Sequence, residues 1–293
     1  VTPEQVNILC RLVFDTCALF LWGAHGFLLL AVAKDLAKHI EHRLARFFHL
    51  ALALIVIAGI GKIAAQAALL GDGWQTVTPT LVADLLQATR SGAALGLQAG
   101  LTGALLLAYC IFRHHRGIVV TLFGALVLIS LSISGHAIAE TGATGLLHRV
   151  NHSLHLLAAS LWLGALPPVV LLLQAMQDER ARPPALAALM RFSTIGHVAV
   201  ALTLISGALN AWLIVGAHAV DISMPYQRLL LFKIGVVATM VIIAIINRYV
   251  FVPRMHHSPA SAIRAIRIGT LAECGLGLAA VALVSAFGTM QPG

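Results

Sequence analysis

Residues 134–164 read SGHAIAETGATGLLHRVNHSLHLLAASLWLG. An apolar run ends in Gly135-His136, a Gly-rich turn follows, and a second apolar run opens with His148, His152 and His155. The last three recur at i, i+4 and i+7, so one helical face carries all three. The stretch therefore reads as two long helices joined by a tight turn, with imidazoles gathered at its mouth. Few folds place so many histidines beside so much hydrocarbon. The run either lines a soluble core or spans a bilayer, and composition decides which.

Of the 293 residues, 59% are hydrophobic and only 10% are charged, and mean hydropathy is +0.93. Soluble domains carry roughly 25% charge, so the chain is a polytopic, all-α membrane protein. About 20 apolar residues cross a bilayer as a helix. Eight such windows occur, at about 6–32, 46–70, 92–112, 118–135, 147–173, 192–215, 229–251 and 268–288. They predict a single transmembrane domain over 1–293. The first is too long for a signal-peptide core and follows Glu4 rather than basic residues, so it reads as a true span.

The net charge of +8 is carried by short linkers, a membrane-orientation pattern rather than a nucleic-acid surface. Lys34, Lys38, Arg43 and Arg46 follow the first span, Arg113 and Arg116 the third, Arg180, Arg182 and Arg191 the fifth, and Arg248, Arg254, Arg264 and Arg267 the seventh. Alternate linkers are nearly free of them. The positive-inside rule then puts both termini, and the histidine hairpin, outside. The longer linker 71–91 holds a partial apolar stripe, Leu81, Leu85 and Leu86, expected to lie in the interface as a short helix. Four cysteines within apolar runs read as packing groups rather than disulfides.

Ionisable residues inside spans are expensive, about 2.5–3.5 kcal/mol each on insertion scales, and should face the bundle interior. At 1.5 Å per residue, two depths emerge. Arg11, Asp15, Lys62 and Lys233 lie with the outer histidines, and Asp15, Lys62 and Lys233 form a polar belt in which the carboxylate can pair with either lysine. His25, His197 and Glu273 lie toward the other side as a second, inner group, with His49 near them. The sharpest reading is a metal-admitting site of His136, His148, His152 and His155, since neutral imidazole takes copper, zinc, iron or nickel. The bland reading, histidines facing interfacial water, suits His148 alone. Glu140 in the turn fits either attraction of cations or ordinary solvation.

Ser134-Gly135-His136-Ala137 and the run from His155 to Trp162 and Gly164 resemble the copper resistance protein D family of bacterial inner-membrane proteins. Arg191-Phe192-Ser193, Pro225-Tyr226, Leu229 to Lys233, Asn247-Arg248 and Glu273 are similar too, the resemblance being strongest over about 130–275. It implies copper homeostasis: copper ions taken from the periplasm into or across the inner (plasma) membrane, beside a periplasmic copper-binding donor protein. His136 and His155 match the family pattern, with Trp162 and Gly164 as packing landmarks. Whether Cu(I) or Cu(II) is handled stays open, because no Met-x-x-Met or Cys-x-x-Cys pair occurs. No ATP-binding loop or soluble catalytic domain is visible, so no enzymatic activity is expected, and transport would be passive or gradient-coupled. Two rivals remain. Outer and inner histidine clusters would also suit a b-type di-haem electron-transfer protein, with haem b between axial histidines. A structural subunit or oxidase-assembly chaperone is the third reading.

Overall fold

In the computed structural model, residues 1–133, 142–216, 221–255 and 257–290 are described. His136 and Glu140 lie outside them. The described chain is α-helical, and eight of its helices are long and apolar enough to cross a membrane. They are α1 (Pro3–Ala31), α2 (Lys34–Leu70), α4 (Arg90–Ile111), α5 (Arg116–Leu131, spanning together with the turn Arg113–His115), α6 (Gly142–Ala175), α7 (Arg182–Val215), α8 (Pro225–Ile246) and α10 (Pro259–Phe287); short α3 (Pro79–Ala88) and one-turn α9 (Val252–Arg254) complete the set.

Local chemistry sets the helix starts. Thr2 and Gln5 form a reciprocal capping box around Pro3, satisfying two of the first-turn N–H groups and starting α1 three residues before its apolar run. Thr78 and Thr89 cap α3 and α4 with their hydroxyls alone, accepting from Leu81 N and Gly92 N. The short helix expected in the 71–91 linker is thus present as α3, with Leu85 buried.

Hydropathy underestimates the helices at the basic ends. Residues 34–45 read as linker, yet they form the opening turns of α2, a helix of 37 residues. At 1.5 Å per residue that is about 55 Å, well beyond a roughly 30 Å hydrocarbon core. Leu36, Ile40, Leu44 and Phe48 are buried at i, i+4 spacing, so an amphipathic stripe carries α2 past the apolar window. Arg43, flanking that stripe, donates to Gln174 Oε1 on α6 at 2.9 Å. α6 also runs unbroken through Pro167 and Pro168. All four cysteines are free thiols, as expected.

α1 is the central helix, packing on α2, α5, α6 and α10, whereas α8 is the least buried span. The α1–α6 crossing is set by small residues. Gly23 lies so close to α6 that an added Cβ would strike the Ser160 carbonyl, and one on Gly164 would meet Leu19 O at 2.6 Å and Gly23 Cα at 2.8 Å. Ser160-x-x-x-Gly164 is the small-residue spacing that lets membrane helices approach closely where no hydrophobic force drives them together. This contact fixes where the histidine face of α6 stands relative to the polar face of α1. At the far end, Asn247–Phe251 form a π-helical turn after α8.

Candidate functional site

On α1, Glu4, Asn7, Arg11 and Asp15 repeat at three- and four-residue intervals, so they share one face. That face lines a cavity of about 880 Å³ at the end of the bundle where α1 begins. The starts of α4, α6 and α8 and the ends of α2, α5, α7 and α10 complete its wall. Lys62 and Gln66 enter from α2, Arg90 and Gln98 from α4, and His148 and His152 from α6. Two members of the expected polar belt, Asp15 and Lys62, therefore meet two of the expected histidines in one chamber. Asn7, Gln66 and Gln98 were not singled out from sequence. Their periodic placement within apolar spans is the signal that would have found them.

The charges are held individually. Arg11 Nη1 donates to Gly288 O at 2.9 Å, a cation satisfying a carbonyl at the end of α10. Lys62 Nζ donates to Gln98 Oε1 at 2.8 Å and lies 4.3 Å from the centre of the Phe14 ring. A desolvated ammonium over an aromatic face gains about 2 kcal/mol. Asp15 lies within electrostatic range of Lys62 and Arg11, but its Oδ1 is buried with no hydrogen-bond partner. The lysine thus hydrogen-bonds a glutamine while Asp15 acts on it through space. Lys233 does not line the chamber; it lies on α8, close enough to His152 and His155 to act on both electrostatically.

The histidines descend α6. His148 is buried and lines the chamber beside His152. His155 lies one turn deeper, its ring nearly parallel to that of His152 (14°) with centroids 6.4 Å apart. Both rings are held by α7. Asn210 Nδ2 lies 3.3 Å from His152 Nδ1, and His155 Nδ1 lies 3.1 Å from both Thr203 O and Ser206 Oγ. Gly207 makes room: a Cβ there would sit 3.1 Å from His155 Cε1. Asn151 on α6 ties the set together, donating to Ser206 O at 2.9 Å and Asn210 Oδ1 at 2.8 Å. Asn210 is an interhelical group; Asn151, four residues before His155 and so on its face, was missed.

The inner group is not assembled. His25 packs on Phe48, centroids 4.1 Å apart, with Nδ1 at 2.9 Å from Leu21 O. His197 is exposed and lies 3.4 Å from the Tyr249 hydroxyl. Glu273 is buried, accepting from Asn247 Nδ2 at 3.4 Å and from the Trp162 indole. Gly269 leaves space for the Asn247 amide, since a Cβ would come 2.6 Å from its Oδ1. These three residues stand on different helices whose rotation the sequence does not encode. Among the described residues, no three His, Cys, Asp or Glu side chains gather to hold a metal ion. The chamber instead offers imidazoles among mixed charges, two carboxylates (Glu4, Asp15) and three cations (Arg11, Lys62, Arg90).

The pattern described as Copper resistance protein D-like, N-terminal domain, matches residues 2–146, and that described as Copper resistance protein D matches residues 186–287. "Inner membrane protein YebZ" of Escherichia coli K12 is 34% identical over 81% of this chain and 81% of its own length. "Copper resistance protein D" of Pseudomonas syringae pv. tomato is 30% identical over 60% of this chain and 59% of its own. "Copper transport protein CutJ" of Bacillus subtilis 168 is 28% identical over 60% of this chain but 34% of its own. No solved structure matches the chain significantly. With its eight spans, its two matched segments and a relative alike over most of both chains, this multi-pass membrane protein belongs to the copper resistance protein D family.

Proposed function

We propose that this chain is an inner-membrane copper-homeostasis protein that admits copper ions into the polar chamber and passes them along α6. One observation carries the reading: His148 and His152 line a chamber within the membrane-spanning bundle, with His155 a turn deeper. Imidazole is a competent copper ligand. The names of two relatives, a copper resistance and a copper transport protein, support the cargo. Nothing in those names supports haem. His136, five residues after Leu131 in the sequence, is a further candidate ligand from the expected hairpin.

Orientation follows from charge. The chamber end is nearly free of basic linker residues, whereas Lys34, Arg116, Arg182 and Arg254 lie at the other ends of their helices. The positive-inside rule puts the chamber in contact with the periplasm, where a copper-binding donor protein would deliver. A cytoplasm-only reporter fused after Gly293 should be silent, and strong signal would reverse the orientation.

The functional test is copper binding by the full chain in nanodiscs, with copper-dependent growth as the second readout. His148→Ala with His152→Ala should weaken binding by 10-fold or more, the order of losing a ligand or its supporting contact. His155→Ala should behave likewise. His39→Ala, on the basic extension of α2, should leave binding unchanged. Full stoichiometry and affinity in all of these variants would overturn the reading.

A further inference from the structure

The two amides and the α7 backbone fix which nitrogen of each histidine carries its proton, and they fix the two rings oppositely. Asn151 Nδ2 lies against Ser206 O, which only accepts, so the Asn151 amide cannot be turned over. The same Nδ2 meets Asn210 Oδ1, and this fixes the Asn210 amide in turn. Asn210 Nδ2 must therefore be the atom that faces His152 Nδ1. A neutral His152 then accepts at Nδ1 and keeps its hydrogen on Nε2. His155 is the reverse: Nδ1 faces the Thr203 carbonyl, so it carries the hydrogen and Nε2 keeps a lone pair. Second partners of this kind select the tautomer and the ligating nitrogen.

We propose that Asn210, locked by Asn151, makes His152 a hydrogen-bond donor into the chamber rather than a metal ligand. The site then takes copper that carries an oxygen ligand (water, hydroxide or carboxylate), held by His152 Nε2–H, with His155 Nε2 as the imidazole ligand. This deepens the copper reading and rests on it for the identity of the cargo. The chamber's charges agree with the ligand class. Arg11, Lys62 and Arg90 outnumber Glu4 and Asp15, and Lys233 acts on both rings. A bare cation meets net repulsion there, and an anionic oxygen ligand lowers it by lowering the charge of the ion that arrives. Asn210 is a positioning residue; it acts through His152.

The test uses the full chain in nanodiscs, labelled with ring-15N histidine and free of metal, where each ring's nitrogen shifts report its tautomer. The resonances lost in His152→Gln and His155→Gln identify the two rings. His152 should show the Nε2–H form and His155 the Nδ1–H form. Asn210→Asp, nearly isosteric but an acceptor, should move His152 to the Nδ1–H form and leave His155 as it was. Cu(II) alone is then added. Electron paramagnetic resonance should count one more coordinating nitrogen in Asn210→Asp than in the parent, because His152 Nε2 is released to ligate. An Nδ1–H His152 in the parent, or no change in Asn210→Asp, overturns the positioning role without touching copper binding. Equal nitrogen counts overturn the oxygen-ligand assignment. Absence of a protein-bound Cu(II) signal in the parent overturns this ligand, while the copper reading stands or falls on the binding and growth test above and the tautomers on their own measurement.

Discussion

Gly164→Leu is expected to remove most folded, monodisperse protein, or to lower its unfolding midpoint sharply in detergent. A side chain at 164 meets backbone rather than a yielding side-chain tip: Leu19 O, Gly23 Cα and Ala24 N all lie within 3.1 Å of the new Cβ. Overpacking of a tight core costs about 1–3 kcal/mol even where neighbours can shift, and here two helix backbones must part. In hydrocarbon, separated helices lose their dispersion contacts and regain nothing from water exclusion. Against a typical total stability of about 5–15 kcal/mol, a loss of 3 kcal/mol or more is decisive. Gly23→Val should repeat it from the facing helix. Gly100→Leu is the control: Gly100 is exposed on α4, with no atom within 4 Å of a Cβ, and leucine is the better helix former. Equal thermal stability of Gly164→Leu and Gly100→Leu would disprove the packing argument.

The spans were legible because hydrocarbon demands a uniform composition over about 20 residues, and nothing else in the chain mimics that. Where the helices begin and end was legible only where a cap is written locally, as at Thr2, Thr78 and Thr89. The α2 extension was hidden because hydropathy senses the membrane, not the helix; the stripe from Leu36 to Phe48 was its real signature. The histidine face of α6 could be read from spacing alone. So could the α1 stripe, of which only Arg11 and Asp15 drew notice. Partner choice could not be read. Depth put Asp15 beside Lys62, but the rotation of α4 brings Gln98 within 2.8 Å of the ammonium and leaves Asp15 Oδ1 without a donor. Matching depth likewise suggested an inner trio, yet His25, His197 and Glu273 each find a different neighbour. Depth is one coordinate of three.

Gln98→Leu is expected to destabilise the bundle by about 1.5–3 kcal/mol, the range for a hydrogen bond to a charged group whose partner is left buried. Lys62→Met removes the charge itself and strands only a neutral amide oxygen, so it should cost no more than Gln98→Leu. The double variant is the informative one. With both polar groups gone, neither leaves a buried orphan, and methionine can still pack on Phe14. The double change should therefore cost at least about 1 kcal/mol less than the sum of the singles in a double-mutant cycle. The companion cycle, Asp15→Asn with Lys62→Met, should give a smaller coupling, because Asp15 and Lys62 act on each other through space whereas Lys62 and Gln98 are in contact. Chemical unfolding of the reconstituted protein measures both. A larger coupling for Asp15 than for Gln98 would mean that the lysine pairs with the carboxylate in the membrane. The Lys62 charge in the chamber would then be neutralised, and the repulsion that makes an oxygen-bearing copper the better cargo would be weaker.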